Sequence, residues 1–244
     1  MKKIILVLAI LLLSCSLFGQ RDIPQFKPNY ETKKSLHFGF TLGLNTVGFN
    51  FKRNASDVKI FADMPSNPAG FHVGIVTDLR LMKGVSLRFL PTVSFIERRV
   101  VFYDQKNEIY VNDANKVSAD MKFESTFLEF PLLIKYKGRR INNYLPYIVF
   151  GAVPMMDLAA YKELNRDEGI YLRLKNFDLG YDIGVGIDYF LPYFKFSTEL
   201  KFYGGLMNIL SDDVITDPDV NTEVFVDAIQ RMSTYGFKLS FHFE

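Results

Sequence analysis

The chain has 244 residues, 48% of them hydrophobic and only 23% charged, a balance that excludes an intrinsically disordered tail protein. Its 24 Phe and 13 Tyr, with no Trp, favour strands, and a single Cys excludes an internal disulfide and any Cys-based zinc finger. Net charge is +2, and without Lys2 and Lys3 there are 27 basic against 27 acidic residues, so the basic excess of a nucleic-acid-binding domain is missing.

The first element is a leader. Met1-Lys2-Lys3 is a short cationic start, Ile4 to Leu13 is unbroken apolar sequence, and Ser14-Cys15-Ser16-Leu17-Phe18-Gly19 follows. This reads as a secretory signal peptide over residues 1–19, cleaved after Gly19, and it is too short to span a bilayer. Leu12-Leu13-Ser14-Cys15 also fits a loose lipobox, but the residues after Cys15 stay apolar instead of forming a polar tether. Residues 20–35 read as a periplasmic N-terminal segment. Its part Arg21–Lys34 is polar, carries Pro24 and Pro28, and is either an extended tether or a remnant of the leader.

From residue 36 onward no apolar run is long enough for a transmembrane helix. Period-two alternation takes over. Leu36, Phe38, Phe40, Leu42 and Leu44 alternate with His37, Gly39, Thr41, Gly43 and Asn45. Leu179 to Tyr189 and Tyr235 to Glu244 repeat the pattern, and Gly70–Leu81, Val85–Tyr103, Met121–Tyr136, Tyr144–Met156 and Phe194–Tyr203 follow it less cleanly. These are strands with one apolar and one polar face. Many reach the length of about 9–11 residues that a tilted membrane strand requires.

Such strands close either as a soluble barrel with the apolar face inside or as a membrane barrel with that face against lipid. The polar face decides. It carries the acids Asp78, Glu129, Asp182, Asp188, Glu199 and Glu244 and the bases Arg80, Arg88, Lys135, Lys195, Lys201 and Lys238. Gly39, Gly43, Gly74, Gly180, Gly184, Gly186 and Gly236 share it. Glycine on a solvated face weakens a strand without return; inside a narrow barrel it makes room for long neighbours. Short links at Met82–Gly84, Lys137–Asn143 and Leu191–Tyr193 alternate with long ones near Arg53–Ala69, Asp104–Asp120, Asp157–Lys175 and Gly204–Gln230. This is the pattern of short periplasmic turns and long external loops.

The prediction is therefore an all-β fold over residues 36–244, an eight-stranded antiparallel transmembrane β-barrel with a filled polar lumen. Ten strands are the alternative, should the Asp104–Asp120 and Gly204–Gln230 links hold extra hairpins. Both termini then lie in the periplasm. The twelve charges should pair across the lumen, since buried charge demands partners. Aromatic girdles are expected from Tyr136, Tyr144, Tyr189, Tyr193 and Phe241 at the inner rim and from Phe51, Phe71, Tyr103 and Tyr235 at the outer rim. Pro91 and Pro131, which cannot donate to a ladder, should produce a bulge or local fraying.

Signs of chemistry are sparse. His37 and His242 face inward near the inner rim on the first and last strands, with Glu244 nearby. They read as a hydrogen-bonded pair at the barrel seam more readily than as a metal site, which needs a further ligand. His72 stands six residues from Asp78 along one strand, about 20 Å away and too far for a dyad. No G-x-S-x-G motif, P-loop or dinucleotide fingerprint occurs, and no cofactor, catalytic set or small-molecule substrate is assigned. Asn54-Ala55-Ser56 matches a glycosylation sequon without evident meaning for an envelope protein.

The segment Phe127-Leu128-Glu129-Phe130-Pro131-Leu132-Leu133-Ile134-Lys135-Tyr136 resembles a recurrent strand of Bacteroidetes outer-membrane barrels. Three further stretches narrow the resemblance: His37-Phe38-Gly39-Phe40, Glu97-Arg98-Arg99-Val100-Val101-Phe102-Tyr103, and Lys137-Gly138-Arg139-Arg140-Ile141-Asn142-Asn143 running to Pro146-Tyr147. Together they are similar to the PorT/SprT family, from first strand to last. That resemblance implies a non-enzymatic outer-membrane component of the type IX secretion system. The system exports proteins bearing a C-terminal signal domain and, in gliding species, supports motility; the implied partners are its other components. The chain end also resembles the signal read by the barrel-insertion machinery, on Thr234, Gly236, Leu239 and Phe241, with Phe243 penultimate and Glu244 last instead of an aromatic. Two other classes stand beside this reading. A generic structural or surface-binding barrel would differ by having no secretion phenotype. A barrel enzyme would need acid, base and nucleophile clustered at the outer rim, and no such set is found.

Overall fold

The computed structural model describes residues 26, 35–53, 60–64, 69–104, 111–112, 117–118, 120–159, 174–211 and 229–244, and no helix occurs among them. The expected signal peptide, Cys15, the sequon match and all of Arg21–Lys34 except Phe26 lie outside the described residues. The strands are β1 (Leu36–Arg53), β2 (Ile60–Asp63), β3 (Ala69–Met82), β4 (Val85–Phe89), β5 (Thr92–Asp104), β6 (Val111–Asn112) and β7 (Val117–Ser118). They continue as β8 (Asp120–Glu129), β9 (Leu132–Lys137), β10 (Tyr144–Asp157), β11 (Phe177–Phe190), β12 (Lys195–Gly205) and β13 (Ile229–Phe243).

Strands β4 and β5 form one stave of a barrel, as do β8 and β9, because each pair shares the same two neighbours. The ring runs β1, β3, β4/β5, β8/β9, β10, β11, β12, β13, and β13 pairs back onto β1. That is eight antiparallel staves with no open edge. Walking the register from Phe38 passes Thr77, Phe89, Leu132, Ala152, Tyr181, Gly204 and Tyr235. It regains β1 at Gly48, ten residues beyond its start. With ordinary strand rise and spacing, eight staves and this stagger give a tilt of about 40° and a Cα radius of about 8 Å. Side chains fill such a ring.

The direction of the faces follows from exposure. Phe38, Ile183 and Leu239 are 64%, 56% and 39% exposed, whereas Arg88, Lys135, Asp188 and Glu199 are buried. The apolar face is outside and the charged face inside, which only a lipid solvent tolerates. Stacking reinforces the outer wall: Phe40 lies 4.8 Å from Phe243 across the β1–β13 seam, and Phe71 lies 5.1 Å from Phe95. The apolar wall ends on the long-loop side at Glu97, Lys122 and Glu124, which point outward and are exposed.

Among the described residues the long links hold little extra strand. β6 and β7 pair over two residues each in a separate sheet, and β2 continues the edge of β5 beyond the end of β3. Neither adds a stave, so the ring keeps eight. On the opposite side Gly84 makes the tight β3–β4 turn at φ +82°, a left-handed conformation open to glycine.

Of the two outcomes expected at Pro91 and Pro131, the bulge is absent, and the strands are instead interrupted at Leu90–Pro91 and Phe130–Pro131. Register is the same on both sides of Pro91, with Thr77 opposite Phe89 and Gly74 opposite Thr92. No residue is inserted; the ladder only skips the missing donors. The carbonyls of Pro91, Pro131 and Pro154 still accept from Ile75, Leu90 and Phe130 at 3.0, 3.1 and 2.9 Å. Of the girdle residues, Tyr136, Tyr144 and Tyr193 are exposed at the inner rim, and Phe71 is exposed toward the outer one. Phe51 shares the inward face of Phe49, 6.1 Å away, and so does not belong to a girdle. The Tyr103 side chain lies outside the described residues.

Candidate functional site

Among the described residues the fold concentrates buried polar groups in the lumen, and alternation puts them there. Near the short-turn end Arg88 is the hub. Its Nη2 meets Asp78 at 3.0 Å and Glu244 at 3.1 Å, and its Nη1 meets Glu199 at 3.1 Å. Asp78 is its direct cross-strand partner, but β12, which carries Glu199, stands diametrically opposite β4 in the ring. Lys195 holds the other oxygen of Glu244 at 2.6 Å, Lys135 holds Asp188 at 2.7 Å, and Ser197 donates to Asp188 at 2.6 Å.

Farther up, Lys238 reaches across the full width from β13 to Glu129 on β8, at 2.5 Å, and Ser94 donates to the other Glu129 oxygen at 2.8 Å. Lys201 faces Lys238 directly in register. The two cations part: Lys201 turns to Glu199 and Asp182, at 3.2 and 3.7 Å. Arg80 lies half-buried on the inward face of β3. All twelve charged residues read from the sequence thus point inward. Two ion pairs, Arg88–Glu199 and Glu129–Lys238, cross the bore from wall to wall.

Three charged residues were missed, and they form a separate outer layer. Arg98 donates to Asp157 at 2.8 Å and to Ser125 at 2.5 Å, with its guanidinium 4.3 Å from the Phe49 ring centre and 4.8 Å from that of Phe127. Asp178 accepts from Tyr203 at 3.0 Å. Around them the lumen is apolar: Val47, Ile96, Phe127, Val153, Met155 and Tyr203 pack as one cluster, so the polar lumen does not extend to the outer end. A crevice of about 10 Å³ beside Arg98, Asp157, Asp178 and Thr234 is roughly the size of one water.

The glycines do leave room, though for more than charges. A methyl at Gly184 would stand 2.6 Å from Lys201 Cγ, but at Gly186 it would stand 2.5 Å from Tyr147 Oη and at Gly43 2.5 Å from His72 Cε1. Tyr147 in turn carries the Lys135 ammonium 3.7 Å above its ring. The histidines do not pair. His37 lies opposite Asp78, whereas His242 lies opposite Thr41, four residues further along β1, and turns toward Glu199 at 3.4 Å. His72 Nε2 is 3.0 Å from Ser240 Oγ. Among the described residues no three His, Cys, Asp or Glu side chains are grouped to hold a metal ion.

At the chain end Leu239, Phe241 and Phe243 point outward, Thr234 and Gly236 inward, and the Glu244 side chain enters the lumen. Phe243 therefore holds the last lipid-facing position.

Residues 18–211 match the family described as outer membrane protein beta-barrel domain. No curated protein matches the chain in sequence. Among solved structures, the chain is similar to the outer membrane protein OprG from Pseudomonas aeruginosa, at 12% identity and TM-score 0.46, over 84% of this chain and 94% of that one. It is also similar to Neisserial surface protein A, at 8% identity and TM-score 0.43, over 86% and 98%.

Proposed function

This chain belongs to the outer membrane protein beta-barrel domain family, and within that family we propose that it is a non-catalytic accessory component of the type IX secretion system. In this reading it is needed for export of proteins with a C-terminal signal domain and, in gliding species, for motility. The pathway comes from the four stretches similar to the PorT/SprT family. The accessory role rests on one observation: two ion pairs join opposite walls of an eight-stave ring, at 3.1 and 2.5 Å. A bore occupied in this way passes no folded domain, so cargo must travel through a larger partner barrel. The contribution of this chain is then docking or assembly, with lipid around its wall and the other secretion components at its turns and loops. Thr234, Gly236, Leu239, Phe241 and Phe243 serve as its own signal for the barrel-insertion machinery.

The test is a clean deletion followed by proteomics of the culture medium. Loss of signal-bearing cargo from the medium, restored by the wild-type chain, supports the reading. Intact export and intact surface motility would remove the secretion role and leave a structural or surface-binding barrel.

A further inference from the structure

The lipid-facing wall is uneven toward the short-turn end. Its outward side chains fall into rows that run across the strands in register. One row is Tyr136, Ile148, Val185, Leu200 and Leu239. The next row toward the turns is Gly138, Pro146, Ile187 and Thr198, and all of these but Ile187 are small. The row after it rises again in Tyr144, Tyr189 and Phe196, whose rings meet at 5.4 and 5.9 Å. The low row leaves a groove of about 650 Å³ along the outside of β10, β11 and β12. That volume lies within the roughly 300–1,000 Å³ of small-ligand sites.

The groove starts at a turn and descends into the bilayer. At one end, just past β9, Gly138 N–H donates to the Pro146 carbonyl at 2.8 Å. A Cβ at Gly138 would already stand 3.4 Å from the Pro146 ring, so glycine keeps this entrance open. At the other end Leu239 lies inside β13, well before its last residue, Phe243. The strand steps from β9 to β13 are about 4.8 Å each. At the barrel's tilt of about 40° they bring the far end about 12 Å below the rim.

The entrance is positive. The three short turns, Met82–Gly84, Lys137–Asn143 and Leu191–Tyr193, carry Lys83, Lys137, Arg139 and Arg140 and no acid. The acids nearest this end, Asp78, Asp188 and Glu244, have their side chains buried in the lumen. The β3–β4 and β9–β10 turns touch, since Lys137 N–H donates to the Gly84 carbonyl at 2.8 Å. Arg140 is engaged with its own turn and with Phe26. It donates to the Phe26 carbonyl, to the Asn142 carbonyl at 2.8 Å and to Asn143 Oδ1 at 3.3 Å. Asn143 Oδ1 also accepts from the Phe26 N–H at 2.9 Å. Lys83 and Arg139, one on each of the touching turns, are exposed.

We propose that the groove and these two turns form a site for an anionic phospholipid of the leaflet at the short-turn end. One acyl chain lies in the groove, and the phosphate meets Lys83 and Arg139. Apolar fit alone selects nothing here, because a chain that leaves the groove finds equally apolar neighbours in the bilayer. Selection comes from the head group, since clustered cations at a membrane surface attract anionic lipid. A zwitterionic lipid fits the groove as well but brings no net charge to the turns. The inference rests on the membrane barrel and is independent of the secretion role.

The chain has no Trp, so a single introduced Trp reports which lipid tails surround it. Leu200→Trp places the probe at the edge of the groove. Ile75→Trp places it on β3, across the ring from β11. The full-length barrel is refolded in mixed vesicles of phosphatidylcholine and phosphatidylglycerol, one or the other with brominated, quenching tails. Folding is checked by heat-modifiable gel migration. At Leu200→Trp, phosphatidylglycerol should be preferred at least about fivefold, and at Ile75→Trp the two lipids should quench about equally. Equal preference at both probes would show a rim that attracts anionic lipid everywhere, and no preference at either would show no selection; each result overturns the site. Added to Leu200→Trp, Lys83→Gln/Arg139→Gln should abolish the preference in a folded barrel. Thr198→Phe, which fills the low row, should abolish it with the turns intact. A preference that survives the first change overturns the role of the cations, and one that survives the second overturns the role of the groove.

Discussion

The inner and outer halves of the lumen are built on opposite principles under one uniform lipid-facing wall. The inner half holds Arg88, Lys135, Asp188, Lys195, Glu199 and Glu244 in direct ion pairs. The outer half packs Val47, Ile96, Phe127, Val153 and Met155 as a soluble protein packs its core, around one ion pair, Arg98–Asp157. The difference lies in what each half requires. Apolar packing is non-directional and tolerates repacking. A buried charge requires one particular partner, often on the far wall, and penalises any arrangement that separates the two. The charged half therefore fixes which strand faces which, while the apolar half mainly excludes water.

The largest expected effect comes from breaking the hub of the charged half. Arg88→Met leaves Asp78, Glu199 and Glu244 without their shared cation. Removing one partner of a buried pair costs about 3–5 kcal/mol, and here three acids lose theirs, so the loss should reach the top of that range. Urea unfolding from lipid vesicles measures it. A loss below about 1 kcal/mol would mean that water hydrates these groups and that the inner half is not a dry network.

The Glu129–Lys238 pair sharpens the same point. Glu129→Gln and Lys238→Met should each cost about 3 kcal/mol, and the double variant should cost less than their sum by about 2 kcal/mol or more. Additive losses would show that the two side chains find other partners in solution. Partners on opposite walls make this a measure of contact across the bore, since neither strand pairs with the other in the ladder.

Away from the Arg98–Asp157 pair, the apolar cluster of the outer half should respond by volume. Val153→Ala removes two methyl carbons from a site with no exposure and should cost about 2 kcal/mol through lost burial and the cavity left behind. It should add to Glu129→Gln without coupling if the two halves are separate. Between the halves in mechanism is Gly186→Ala, whose methyl would stand 2.5 Å from Tyr147 Oη. Lys135 lies 3.7 Å from the Tyr147 ring centre and limits its retreat. An overpacking loss of about 1–2 kcal/mol is expected, and Tyr147→Leu in the same chain should recover part of it.

The two halves were not equally legible in the sequence. Alternation marks the charged half because a polar residue every second position, between apolar ones, has only one reading in lipid. The outer half loses that contrast, since both faces turn apolar in Val100-Val101-Phe102 and Val153-Pro154-Met155-Met156. Arg98 was hidden by a run of three charges, Glu97-Arg98-Arg99, in which only register shows that the middle one points inward. Asp157 and Asp178 fell one residue outside the strands drawn for them, so they passed as loop. At the prolines the sequence left a bulge and a local interruption both open, because a missing donor is visible in it but the register, kept here by the prolines' own carbonyls, is not. The hydrogen bonds of Phe26 with Asn143 and Arg140 had no periodic signal at all, since they are made by its backbone groups and leave no mark on side-chain pattern.

The smallest expected effect is none, and it tests whether the halves act in series. The bore is crossed by ion pairs below and filled by an apolar cluster above. Water and ions must breach both to pass. Purified wild-type protein in a planar bilayer should therefore show no stable conductance. Glu129→Ala/Lys238→Ala should stay closed as well, because the cluster of Ile96, Phe127 and Met155 still blocks the outer end. Phe127→Ala should stay closed for the converse reason, because Arg88 still bridges to Glu199 at 3.1 Å. Only a chain altered in both halves should conduct. Stable conductance from either single-half variant would mean that one layer carries the whole seal, and the division of the lumen into two independent barriers would fail.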